Sequence, residues 1–308
     1  MTPLPTPQQL RYLLALAEHQ HFGRAAQACA VTQSTLSAGI LMLEHQLDAE
    51  ILDRGIGKRV VFTALGRELV ERARAAMAAL QGVVDAAVSA HAPMSGPLRL
   101  GIIPTIGPFL LPRLMPELRA AFPHLRLFLR EDTTARLIER LRDGRLDVLI
   151  LALPCDCVGA EVIAVARDRF LVALPPDHLL ATRAEVPAAA LAAESLLLLE
   201  DGHCLRDQAL AACGLIGGGE EDGADFAATS LHTLVQMVAG KLGVTLLPEL
   251  AIAGRVLAGA DLVLRPLGGE GAWRTIGLAW RAGAPRGADY RALVPVVAAA
   301  LAAGALPT

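Results

Sequence analysis

The chain has 308 residues, with 28 Lys+Arg against 31 Asp+Glu, a formal net charge of −3, and 54% hydrophobic against 19% charged residues. That composition excludes a disordered chain and supports a large buried core, in two domains or one large one. The slight acidity excludes a protein that coats nucleic acid over its whole surface; it leaves room for one small DNA-reading domain, because charge averages over domains.

Residues 8–92 read as almost entirely helical. Leu10, Leu13, Leu14 and Ala17 recur at helix spacing over residues 8–19. A short Ala-rich helix follows at 22–29. Thr32 is placed to cap a third, which carries Leu36, Ile40, Leu43 and Leu47. Residues 53–62, with two glycines and then a β-branched run, predict a two-stranded ribbon. Thr63 then caps a proline-free helix over 64–91, roughly 42 Å long at 1.5 Å per residue. Helix, tight turn, helix and ribbon make a winged helix-turn-helix. In such a module a helix enters the major groove and offers the side chains of its N-terminal half to base edges. Here those side chains are Thr32, Gln33, Ser34, Thr35 and Ser37, and the ribbon gathers Arg54, Lys58 and Arg59 for the neighbouring phosphates. Residues 1–92 hold eight basic and eight acidic residues, so the module is neutral and its bases matter by clustering.

Residues 92–98 (APMSGPL) are a linker by composition. Beyond them strands alternate with helices: strands at 98–103, 125–130 and 146–151, helices at 110–121 and 134–143. The series goes on through strands at 169–173, 195–199, 244–247 and 275–280, with helices at 231–240 and 289–303. Alternation of this kind predicts an α/β fold on a largely parallel sheet. Residues 217–225 (GGGEEDGAD) form an acidic loop that would repel a phosphate. The apolar stretch at 293–307 is only about 15 residues long, short of a membrane span. The opening MTPLPTPQQL lacks the basic and apolar regions of a secretory signal. The expected location is cytoplasmic, where a persistent disulfide is unexpected and a reactive thiol is the interesting alternative.

The N-terminal pattern resembles the LysR-type transcriptional regulators. It rests on Leu10, Tyr12, Leu16, Phe22, Ala25, Ala26, the run Val31–Ser37, Ile40, Leu43, Glu44, Leu52, Arg54 and the segment 63–66. One departure is Leu41–Met42, where the family commonly has a basic residue after the Ile40 position. The resemblance implies a winged helix-turn-helix at 1–62, a dimerising linker helix at 63–92 and a regulatory domain at 93–308. That domain would be periplasmic-binding-protein-like, with one α/β subdomain at about 97–168 and 270–308 and the other at about 169–269. It also implies promoter DNA and RNA polymerase as partners, a homotetramer built as a dimer of dimers, no cofactor, no metal and no membrane association.

Within that family the segment Asp201–Gly202–His203–Cys204–Leu205–Arg206–Asp207–Gln208, followed by Cys213, resembles the hydrogen peroxide-sensing members. So do PMSGPL at 93–98, GIIPTIGP at 101–108, ATSL at 228–231, TLLP at 245–248 and RTIGL at 274–278. The resemblance implies that Cys204 is the peroxidatic and Cys213 the resolving thiol, with Thr105, Thr134, His203, Asp207 and Arg274 lining or supporting a peroxide pocket. The chemistry is coherent. Thiolate is the nucleophile, and His203, Arg206 and a helix starting near Leu205 all favour an anion at Cys204. Peroxide yields a sulfenic acid that a second thiol condenses into a disulfide. If 204–213 is helical, nine residues rise about 13.5 Å and turn about 900°, so the bond requires local unfolding.

A LysR-type regulator that binds a small metabolite between its subdomains, with dispensable cysteines, is the alternative. A thiol peroxidase, an enzyme, is a third, and the DNA-reading motif weighs against it. Cys155 and Cys157 are expected to be solvent-accessible loop thiols, and Cys29 to pack in the helix-turn-helix core.

Overall fold

The computed structural model describes residues 3–53, 60–91, 93–215, 228–269 and 271–303. The chain divides into a first unit running through Ala87 and a second holding nearly all of the rest.

In the first unit, α1 (Pro7–His19), α2 (Phe22–Ala28) and α3 (Gln33–Leu47) are followed by β1 (Leu52–Asp53) and β2 (Val61–Phe62). The strands pair antiparallel, Leu52 opposite Phe62. The long α4 (Ala64–His91) comes next. Each helix start has a chemical cause. Thr6 and Gln9 form a reciprocal capping box with Pro7 in the first turn. His21 Nδ1 accepts from the amides of Gly23 and Arg24 at 3.1 and 3.3 Å. Thr32 Oγ1 accepts from the Thr35 amide at 3.2 Å, and Thr63 Oγ1 from the Gly66 amide at 2.8 Å. Tyr12, Leu13, Leu16, Ala25, Leu36, Ile40, Leu43 and Ile51 close a small core. Glu44 ties the end of α3 to the ribbon by accepting from the Ile51 and Leu52 amides.

In the second unit, β3 (Gly96–Ile102), α5 (Gly107–Ala121), β4 (Leu125–Glu131), α6 (Thr134–Arg142) and β5 (Val148–Leu153) build a parallel section, with β3 between β4 and β5. Next come β6 (Ala160–Leu174), β7 (Val186–Pro187), α7 (Cys204–Ala212), α8 (Leu231–Ala239), β8 (Thr245–Pro248) and α9 (Glu249–Ala253). The unit ends with β9 (Val263–Gly268), β10 (Trp273–Arg281) and α10 (Gly287–Ala302). Strand order is β4-β3-β5-β10-β6-β9-β7, with β8 also on β6.

The sheet is mixed, not largely parallel. β10 runs antiparallel to both β5 and β6, and β6 antiparallel to β8 and β9. β6 is also longer than expected. Its first half, Ala160–Asp168, alternates through Val162 and Ile163 into Val165 and continues into the expected strand at 169–173 as one 15-residue element. At Gly277, where the β10–β6 register shifts, a Cβ would come within 2.9 Å of the Ile163 carbonyl, so only glycine lets the strands approach.

Three expectations need correction. In the expected linker at 92–98, Met94 is buried and Gly96 already pairs with Leu125 as β3 begins. α5 starts at Gly107 because Pro108 in the first turn costs no hydrogen bond. Residues 195–199 make two isolated bridges, Leu196 to Val244 and Leu199 to Ala228, instead of a ladder strand.

Candidate functional site

α7 begins at Cys204, so this residue sits in the first turn, where free amides point away from the helix. His203 occupies the N-cap, and Gly202 before it has φ +93°, a conformation suited to glycine. That turn sets the approach of α7 to the rest of the unit. A Cβ on Gly202 would lie 3.9 Å from Thr133 Cγ2, so the start of α7 faces the start of α6. His203 is buried, with Nε2 3.8 Å from Glu200 Oε1. Arg206 turns back: its Nε is 3.1 Å from Asp201 Oδ1 and its Nη1 donates to the Leu199 carbonyl at 3.3 Å. The guanidinium expected to serve Cys204 thus faces Asp201 and the Leu199 carbonyl. Asp207 is exposed in the first turn of α7.

Cys213 caps the other end of α7, and Cys204 and Cys213 are both free thiols. The helix is continuous between them, so their Cα atoms stand about 13.5 Å apart along the axis, on opposite faces. Cys213 is 5% exposed, and burial pushes its thiol up to about 11 from an ordinary 9.0. Its amide donates to the Ala209 carbonyl at 3.1 Å, and Leu215 closes the end by donating to Leu210.

Thr105 lies between β3 and α5 and is 3% exposed. Its Oγ1 accepts from Arg274 Nη1 at 2.8 Å, and its carbonyl accepts from Nη2 at 2.9 Å. Arg274, on β10, is itself buried and donates through Nε to Asp168 Oδ2 at 2.9 Å. The other oxygen of Asp168 accepts from the Leu250 amide at 2.9 Å. Asp168 thus anchors Arg274; nothing about residue 168 in sequence ties it to residue 274, and only the β6–β10 register brings the two opposite each other.

Thr134 opens α6. Its Oγ1 is buried without a hydrogen-bond partner, and so is Gln208 Oε1. Gln208 stands in the cysteine motif with no role expected of it, although a residue four positions beyond Cys204 shares its helix face. Its Nε2 donates to the Leu153 carbonyl at 3.5 Å, which sets α7 against the end of β5. Just before α6, burial alone would raise the carboxyl of Asp132, but Arg130, the Thr133 amide and Arg136 together hold it below the usual carboxylate range.

The expectation of free loop thiols at Cys155 and Cys157 is overturned: the two form a disulfide. One intervening residue brings their Cα atoms to 5.3 Å, within bonding range. Cys29 is half-buried against the helix-turn-helix core, and burial raises its thiol against the lowering charge of Arg11.

On α3, Thr32, Gln33, Ser34 and Thr35 are exposed and Ser37 is half-buried. Thr32 Oγ1 lies 2.9 Å from Ser34 Oγ and 2.8 Å from Thr35 Oγ1, a hydroxyl cluster at a helix N-terminus. Leu41 and Met42, the departure from the basic pattern, are exposed. Arg54, Lys58 and Arg59 lie outside the described residues, as does the acidic loop at 217–225.

Comparison with known proteins bears on the family. Residues 7–67 match the model for bacterial regulatory helix-turn-helix proteins of the lysR family, and residues 91–302 match the LysR substrate binding domain. The chain is 42% identical over 292 residues to the DNA-binding transcriptional dual regulator OxyR of Escherichia coli, covering 95% of this chain and 94% of that protein. Among solved structures, a full-length OxyR variant from Pseudomonas aeruginosa superposes with a TM-score of 0.75 at 35% identity, covering 96% of this chain and 98% of the other. A peroxide-bound OxyR cysteine variant from Corynebacterium glutamicum gives a TM-score of 0.66 at 31% identity, covering 99% and 95%.

Proposed function

The chain belongs to the LysR family of bacterial helix-turn-helix regulators, and from that premise we propose that it is a hydrogen peroxide-sensing, DNA-binding transcriptional regulator switched by a reversible Cys204–Cys213 disulfide. The observation that carries the reading is the continuous helix between two free thiols. While α7 is intact, distance and burial both prevent their bonding: Cys213 is too far from Cys204, and its raised thiol stays protonated. Local unwinding removes both barriers together. Oxidation of Cys204 to a sulfenic acid, then condensation with Cys213, releases two waters in all and locks α7 in a different backbone state. A subunit assembly can read such a state as a change of shape.

Peroxide is a small molecule with two donors and two acceptor oxygens. Thr134 Oγ1 and Gln208 Oε1, buried without partners, offer it hydrogen bonds that otherwise go unmade, at about 1–3 kcal/mol for each orphan. Thr105 has its acceptor taken by Arg274, so its own proton is free to donate. The metabolite-sensing alternative gains nothing from this arrangement, because Asp168 and Thr105 already occupy the guanidinium that would hold a carboxylate.

In this reading Thr32, Gln33, Ser34, Thr35 and Ser37 approach promoter DNA, with Arg54, Lys58 and Arg59 on phosphates. The regulator works in the cytoplasm as a homotetramer that engages RNA polymerase and turns over no substrate. The expected multivalency compensates for a neutral DNA module.

The deciding experiment is titration of the reduced protein with micromolar peroxide, followed by mass mapping of disulfides and a DNA mobility shift. A 204–213 bond that Cys204→Ser and Cys213→Ser each abolish, with a matching change in DNA engagement, supports the reading. Absence of the bond overturns it.

A further inference from the structure

The disulfide between Cys155 and Cys157 differs in kind from the Cys204–Cys213 pair. It lies between β5, which ends at Leu153, and β6, which begins at Ala160. Both residues are half-buried, and they pack against the same apolar core that Cys204 borders. No helix has to unwind for this bond to form or break. The segment is held at both ends: Leu153 pairs with Thr275 of β10, and the Ala160 amide donates to the Cys157 carbonyl at 3.0 Å. As a disulfide it encloses Asp156 in a small covalent ring, which a dithiol lacks.

Leu153, two residues before Cys155, gives its carbonyl to Gln208 Nε2 at 3.5 Å. That length is near the limit of a hydrogen bond, so a displacement of tenths of an ångström makes or breaks it. Gln208 in turn shares a helix face with Cys204. Among the described residues no group of three or more His, Cys, Asp or Glu is placed to hold a metal.

We infer that Cys155 and Cys157 are a second redox couple, closed by hydrogen peroxide and reopened by small-molecule thiols, which sets the Leu153 carbonyl against Gln208 and so tunes the reaction of Cys204. In the closing reaction one thiolate attacks peroxide: an S–O bond forms, the O–O bond breaks, and hydroxide leaves to be protonated to water. The second thiol then displaces the sulfenic oxygen as water and forms the S–S bond. The two thiols lose two electrons and two protons, and peroxide is reduced to two waters. Two exchanges with a thiol such as glutathione reverse the bond and leave the reductant as its own disulfide. The effect on Cys204 rests on the peroxide-sensing reading above; the existence of the couple does not.

The test uses the full chain in two arms. In a reduced Cys204→Ser/Cys213→Ser variant, peroxide is titrated against thiol count and a mass map of disulfides. The expected result is loss of two of the three remaining thiols as a 155–157 bond that reduced glutathione restores. Thiols that persist at 155 and 157, or overoxidise without bonding, overturn the couple. In the second arm, the rate of Cys204 consumption by peroxide is compared between the chain carrying the 155–157 bond and a Cys155→Ser/Cys157→Ser variant that cannot close. A difference of threefold or more is expected, and it should vanish when Gln208→Leu is added to both. Equal rates overturn the tuning. A Cys204 that is inert in both overturns the sensing reading and the tuning with it, while the first arm still decides the couple.

Discussion

Arg274 and Thr105 lie 169 positions apart in sequence and are joined twice, through the Thr105 hydroxyl at 2.8 Å and its carbonyl at 2.9 Å. With Asp168 on the third nitrogen of Arg274, strand β10 fixes the turn between β3 and α5 and the start of α9 in one buried network. A buried ion pair contributes little net stability beyond what an apolar replacement would give, but removing one partner strands the other charge. Asp168→Asn is therefore expected to destabilise the regulatory unit by about 3–5 kcal/mol, read as a fall in denaturant midpoint. Arg274→Lys, which cannot serve three acceptors in one plane, is expected to slow the peroxide reaction of Cys204 more than it lowers the midpoint. A Lys variant with parental kinetics would make the network purely structural.

Much of this was legible in the sequence, and the part that was not has a physical reason. The helix starts at Thr32 and Thr63 could be read because capping is local, set by a hydroxyl and an amide a few residues on. The candidate thiols and Thr105 could be read because the motif is contiguous around them. Asp168 could not, since its partner comes from a strand that forms only when the chain end returns. Gln208 was within reach through its spacing from Cys204. Cys155 and Cys157 were misread because a C-x-C spacing fits free thiols and a bonded pair equally, and only the turn from β5 to β6 brings the sulfurs together. The mixed sheet was hidden in the same way: strand direction is decided by β10, which inserts between β5 and β6 from the far end of the sequence.

Thr32 has two separable duties, capping α3 and facing outward at its exposed start. Thr32→Ala loses the cap, at about 1 kcal/mol, and is expected to lower both thermal stability and DNA affinity. Thr32→Asp keeps an N-cap oxygen but presents a negative charge toward phosphates. It is expected to hold the melting temperature while DNA binding weakens, with the deficit relative to the parent largest at low salt. Parallel losses of stability and affinity in both variants would confine Thr32 to the cap.

Burial pushes the Cys213 thiol up to about 11. A thiol is neutral when protonated, so a raised value means that the folded state holds its proton more tightly than the unfolded chain. This contribution to stability is complete below the unfolded value near 9.0 and is lost as pH rises through that value toward about 11. Alkylation of Cys213 in the reduced protein is expected to stay slow at neutral pH and to rise toward about 11, provided that α7 remains folded. Mass-resolved labelling at a series of pH values checks this, and a Cys213 midpoint at or below 9.0 would contradict the buried arrangement.

The switch itself is expected to answer to helix stability and not only to thiol chemistry. Ala211 is exposed in the last turn of α7, where its side chain is not needed for packing. Replacing it with glycine costs about 0.8–1.0 kcal/mol of helix stability, which raises the population of locally unwound α7 roughly fivefold where opening is a rapid pre-equilibrium. Cys204 should then meet peroxide at the parental rate, because the first turn of α7 is unchanged. Condensation with Cys213 should run about fivefold faster, since it waits on opening. The two steps separate by quenching at intervals, trapping sulfenic acid and disulfide, and following each by mass. If Ala211→Gly accelerates both steps equally, the glycine has disturbed the start of α7 as well as its end. If it accelerates neither, opening of this helix does not limit the bond, and the distance between Cys204 and Cys213 is crossed by some other motion of the segment.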